Sequence, residues 1–164
     1  MATRHAIVRT DNLSGTTDGS KLISAKFYSG SDPAAIDNGN VVSISDELIN
    51  RETYKVTAPT AADTRATIGL VASAEIMYDE QRHHNLEDFT NEADSLIRVY
   101  ALETGDEFSI TKEALDGTVA KDKYVKLTAG STKLTATDTA TGAIGKIVAV
   151  EIVNPDTYYV IKVK

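Results

Sequence analysis

The chain has 164 residues, a formal net charge of −7, no Cys and no Trp, with 41% apolar and 25% charged residues. That size and composition suit one domain or two small lobes around a core of Val, Ile, Leu and Ala. They exclude disulfides, thiolate metal sites and a cysteine nucleophile, and the acidic balance, with no basic stripe, points away from nucleic acid and from anionic membrane surfaces.

The leader Met1 to His5 lacks the apolar core of a signal peptide, and no apolar run approaches the ~20 residues that span a bilayer. His5 to Arg9 predicts a first strand. Thr10 to Lys21 is polar and carries Gly15 and Asp18-Gly19, so residues 1–21 are expected to form an extended arm. Such an arm holds one conformation only when tied down, and a neighbouring subunit is the expected tie.

Leu22 to Tyr28 predicts a strand, Ser29 to Pro33 a turn, Asp37-Asn38-Gly39-Asn40 a second turn, and Val41 to Ile44 a strand. Ser45 to Leu48 offers a single helical turn. Thr53 to Thr57 alternates as a strand does, Ala58 to Thr67 is a loop, and Ile68 to Ala72 reads as a central strand covered on both faces. Asp79 to Asp94 is polar and acidic. Past a boundary placed near residue 94, Ser95 to Leu102 and Glu107 to Thr111 predict strands around a Gly105-Asp106 turn. Thr111 to Leu115 predicts a short helical turn with Thr111 as its N-cap. Strands over Tyr124 to Thr128, Lys133 to Thr135, Ile144 to Val153 and Thr157 to Val163 follow, with bends expected at Gly142 and Gly145. Thr makes up roughly one residue in eight, and β-branched side chains favour this extended backbone. The expectation is an all-β protein, mainly antiparallel barrel or sandwich lobes with one or two short helical turns: an arm over 1–21, a β-rich lobe over 22–94 and a small barrel-like lobe over 95–164.

Chemistry-bearing patterns are few. Asp79, Glu80, His83 and His84 are the one crowd of metal-ligand types; adjacent histidines on a strand point apart, so no metal and no cofactor are expected. The carboxylates Asp79, Glu80, Glu87, Asp88, Glu92 and Asp94 read as a solvated or partner-binding loop rather than an acid–base pair held in a cleft. Calcium-loop spacing, a nucleophile elbow and a phosphate-cradling glycine loop are all missing from the sequence. Lys121, Lys123 and Lys126 flank Asp122 on a predicted strand and read as a solvated face. No catalytic residue is assigned, and the chain is expected not to be an enzyme. Partner contacts are expected from the arm, at His5, Ile7, Arg9 and Leu13, and from the acidic loop, at Asp79, Arg82 and Asp88.

Several short motifs carry a resemblance: Asp37-Asn38-Gly39-Asn40-Val41-Val42, Leu70 through Tyr78, Asp88-Phe89-Thr90-Asn91-Glu92, Arg98-Val99-Tyr100 and Gly105-Asp106-Glu107-Phe108-Ser109-Ile110-Thr111. Over residues 36–164 the chain resembles the head decoration proteins of tailed bacteriophages. The resemblance implies a non-enzymatic virion protein on the capsid exterior. It would be assembled in the host cytoplasm, would bind the major capsid protein and stabilise capsomer contacts, and would form a homo-oligomer, often a trimer. Two other classes fit the composition. One is a compact tail or baseplate subunit. The other is a carbohydrate-binding, adhesin-like β-module that would stack sugars on Tyr124, Tyr158 or Tyr159.

Overall fold

The computed structural model describes residues 3–78 and 85–164. It is mainly β, built as two antiparallel-rich sheets with only short 3-10 turns between strands, as the sequence predicts. The strands are β1 (Val8–Asn12), β2 (Leu22–Ser29), β3 (Asp32–Pro33), β4 (Val41–Leu48), β5 (Thr53–Thr57), β6 (Ile68–Val71), β7 (Ile97–Ala101), β8 (Glu107–Ile110), β9 (Leu115–Asp116), β10 (Tyr124–Lys126), β11 (Leu134–Thr137), β12 (Ala143–Val153) and β13 (Asp156–Val163).

The first sheet runs β3-β2-β5-β4-β6-β7, and β7 pairs back onto β2, Leu22 opposite Tyr100 and Ala25 opposite Ile97, so five of its strands close into a barrel. Side chains on a strand alternate between faces, and here the two faces feed two cores. Val42, Val71 and Val99 point inward with Ala25, Phe27 and Val56 and fill the barrel. Their neighbours Val41, Leu70 and Tyr100 point outward and meet Phe108, Ile110 and Ile161 of the second sheet. All four residues of β6 are buried, which is the double coverage expected of it.

The second sheet runs β1-β8-β13-β12-β10-β11-β9. The boundary placed near residue 94 is therefore corrected: β7 lies beyond it yet closes the barrel, and the N-terminal β1 joins the second sheet. Two local expectations are corrected as well. Ser45 to Leu48 continues β4 rather than turning helically, because the Ser45 hydroxyl donates to Lys55 O at 2.7 Å and accepts from Glu47 N–H across a bulge. Gly145 is no bend: it sits inside β12 opposite Val125 and Val163, where a Cβ would stand 2.8 Å from Lys162 O. The bend lies at Gly142, with φ +74°.

A candidate partner-binding surface

The arm belongs to its own chain. Val8 pairs with Ile110 and Arg9 with Ser109 on β8. Ile7 is 3% exposed and Leu13 1%, both inside the molecule, so neither is available to a neighbour. Ile7 N–H donates to Thr111 Oγ1 at 3.1 Å, so the Thr111 hydroxyl serves the arm and does not cap the turn Lys112–Ala114. Ser14 N–H and hydroxyl both donate to the buried carboxylate of Asp106. Charged side chains finish the attachment. Arg4 pairs with Glu87, Glu113 and Asp156. Arg9 pairs with Glu151 and stacks its guanidinium 4.4 Å from the Tyr158 ring centroid. The expected contact residues His5 and Arg9 are thus half-buried in intramolecular pairs.

His5 opens the site proper. Its Nδ1 lies 2.7 Å from Asp37 Oδ1, and its N–H donates to Glu87 O at 2.8 Å. Asp37 also accepts from the Thr90 hydroxyl at 2.8 Å. The next residue, Asn38, is 1% exposed. Its Nδ2 donates to Ser73 O at 2.9 Å and to Glu75 Oε1 at 3.2 Å, while its Oδ1 accepts from Ser73 N–H and from Asn91 Nδ2. Asn91 in turn bridges Ile36, backbone to backbone in both directions. Buried amides are stable only when satisfied in this way. The consequence is that the loop after β3, the loop before β7 and the chain leaving β6 are clamped together.

What the clamp presents is residues 72–78. Beyond β6, residues 72–78 pair with no strand among the described residues. Their exposure alternates, with Ser73, Glu75 and Met77 half-buried and Ala74, Ile76 and Tyr78 exposed. The apolar residues face water: Ile76 is 57% and Tyr78 88% exposed, and Leu86 and Leu96 are exposed as well. Ile76, Met77 and Tyr78 form one wall of a groove whose other wall is Asp88, Phe89, Thr90 and Glu92. Two further grooves flank the start of the same segment, one beside Leu22, Leu96 and Arg98, the other beside Val8, Thr10 and Tyr100. Of the acidic-loop residues expected to touch partners, Asp88 lines the groove, at the end of the turn Leu86–Asp88. Asp79 and Arg82, like Glu80, His83 and His84, lie outside the described residues.

Protein-family models, curated proteins and solved structures were all compared with the chain, and none matches.

The site offers exposed apolar side chains beside a groove edged by Asp88 and Glu92. Among the described residues no three His, Asp or Glu side chains are grouped to hold a metal ion. His5, Asp37 and Thr90 are in contact, but the Thr90 hydroxyl donates to the carboxylate rather than to the imidazole, so the three do not form a hydroxyl–imidazole–carboxylate relay. Two of the three tyrosines considered as sugar platforms carry cations. Tyr158 lies under Arg9, and burial, with Asp156 adding and Arg9 and Arg4 opposing, pushes its phenol above the ordinary value. Tyr124 has Lys164 5.2 Å and Lys146 5.9 Å from its ring centroid. Of the basic residues on β10 and the turn before it, Lys123 is paired with Asp138, and Lys126 is exposed. No helix among the described residues is long and apolar enough to cross a membrane. Sequence reasoning missed Ile76, Tyr78, Leu86 and Leu96. The signal was present in the alternation of Ala74, Ile76 and Tyr78, hidden because it continues an apolar run that begins as a buried strand.

Proposed function

We propose that this chain is a non-enzymatic virion structural protein that binds the outer surface of a tailed-phage capsid, contacts the major capsid protein and stabilises the seams between capsomers as a homo-oligomer. The observation that carries the reading is the solvent-facing apolar strip of residues 74–78 with Leu86 and Leu96, held in place by a buried amide network. Exposed large apolar side chains grouped on one part of a surface favour a protein-binding face, and a rigid base lowers the ordering cost of binding. The net charge of −7 keeps such a coat soluble and indifferent to packaged DNA. Repetition over a lattice multiplies modest contacts into a stable shell.

The test is co-sedimentation with expanded shells of its phage. Wild type should pellet with shells at a fixed ratio to the capsid protein, and Ile76→Ser with Tyr78→Ser should abolish pelleting while leaving the fold intact. Wild type left in the supernatant at saturating concentration sinks the reading. A compact tail or baseplate subunit is the second reading, favoured by the tip of the β12–β13 hairpin, where Ile152 is 79% and Val153 52% exposed; rings or tubes formed in solution would select it.

A further inference from the structure

This inference rests on reading residues 72–78 as a partner-binding face, and names what that face takes. We infer that residues 74–78 are an acceptor strand, which binds an extended, apolar, basic-flanked segment of another protein by β-strand addition.

Four observations meet there. The segment alternates in exposure as a strand does, yet it pairs with no strand among the described residues. Ala72 N–H still donates to Arg98 O at 3.0 Å and Ser73 N–H to Asn38 Oδ1 at 3.0 Å. Past them the one backbone bond to a described residue is the tight turn Ile76 N–H to Ala74 O, 2.9 Å, of a kind common where strands begin and end. The backbone groups of Glu75, Met77 and Tyr78 bond to no other described residue. Free strand edges are the groups that strand addition uses, while alternate side-chain pockets give it specificity.

Second, the alternation is inverted: Ala74, Ile76 and Tyr78 face solvent where a finished strand would bury them. Third, the base is fixed, since Asn38 holds Ser73 on both its N–H and C=O and also reaches the Glu75 carboxylate.

Fourth, charge selects the occupant. Glu75 lies in the segment, and Asp88 and Glu92 form the far wall of the groove beside Ile76 and Tyr78. Arg98 lines the grooves at the 72–74 end, so the acidic character belongs to the other end. A second copy docking through the same face would set these carboxylates against their equivalents, in a chain that already carries −7. Like charges brought together across an interface oppose association. A segment of a different protein with apolar residues alternating and Lys or Arg at one end complements both the strip and its rim.

The probe is a synthetic nine-residue Val/Lys peptide, in which Val alternates with Ser and two Lys close one end. It is compared with a Val/Glu peptide and with a Val/Lys peptide N-methylated at alternate residues, which cannot donate to a strand edge. Affinity is read by fluorescence anisotropy and location by amide chemical shifts. The Val/Lys peptide should bind with shifts centred on 74–78. Asp88→Lys with Glu92→Lys, or Tyr78→Ser, should weaken it by about tenfold or more, and the N-methylated peptide should bind about tenfold or more weakly. No binding of the Val/Lys peptide, equal binding of the Val/Glu or N-methylated peptide, or shifts mapping elsewhere overturns the inference. Shell pelleting separates the two claims. Wild type that binds peptide as described but ignores shells leaves the acceptor strand standing without the capsid reading, and wild type that pellets with shells but fails the peptide test does the reverse.

Discussion

Gly39 and Ile110 meet where the loop entering β4 touches the second sheet: a Cβ at Gly39 would stand 2.9 Å from Ile110 Cγ2, and Gly39 holds φ at +81°. Its N–H also donates to Val71 O at 2.8 Å, so the loop cannot simply swing away. The Asn-Gly-Asn turn therefore joins the two cores, and glycine is required there twice over.

Gly39→Ala should lower stability by about 2–4 kcal/mol, the sum of a left-handed conformation forced on a side chain and overpacking against Ile110. The urea midpoint measures it. A loss under half a kcal/mol would mean that Ile110 yields without cost.

Leu13→Ala should cost about 2–4 kcal/mol, as for other buried leucines. Deleting residues 2–20 should do more, removing β1, Leu13 and the Ser14 partner of Asp106 together. Circular dichroism in urea should show an earlier unfolding midpoint for the deletion. An unchanged midpoint would restore the picture of a detachable arm.

Asn38→Ala should cost about 1–3 kcal/mol, because it takes away the partner of the Ser73 N–H and C=O and one of the two acceptors of the Asn91 amide. Hydrogen exchange at Ser73 should rise above any general loss of protection, since that amide donates directly to Asn38. Protection at Ser73 unchanged after correction for global stability would show that the clamp is dispensable.

Asp63 supplies a pH dependence. Burial acts to raise its pKa, but the Thr60 N–H and the hydroxyls of Thr67, Thr60 and Ser43 outweigh burial and hold it below the usual carboxylate value. A folded-state pKa below the unfolded one means that the unfolded chain binds the proton first. The contribution is then complete above the unfolded pKa and is lost as pH falls through the folded one. Asp63→Asn should therefore be less stable than wild type at pH 6, with the gap narrowing as the pH is taken down through the acid range. Melting curves that stay parallel throughout would remove Asp63 from the acid response.

Much of the fold was legible because strand chemistry is local. Thr53 to Thr57 alternates, and β5 has those bounds; β2 and β13 come within a residue of their predicted ends. Closure was not legible, since nothing in Leu22 to Ala25 names Ile97 to Tyr100 as a partner so distant along the chain. The arm was misjudged for the same reason. Its polar composition is real, but single contacts decide its place: Leu13 in the core, Ser14 on Asp106, Arg4 among three carboxylates. Of the groove, Asp88 was legible from charge as an exposed acidic residue, whereas Ile76 and Tyr78 were not, because an apolar residue in an apolar run gives no hint of which ones stay wet.

The position of β8 between β1 and β13 sets an order of events during synthesis. Residues 22–101 contain every strand of the closed barrel and can complete it while the ribosome is still translating the rest. Residues 8–12, made earlier, must wait for 107–110 to emerge, and the opposite edge of β8 stays bare until 156–163 emerge. Pairings this distant in sequence form late and leave sticky edges open in the interim. A nascent chain stalled before residue 156 would carry a finished barrel beside a half-built sheet, and is the form that chaperones would be expected to hold.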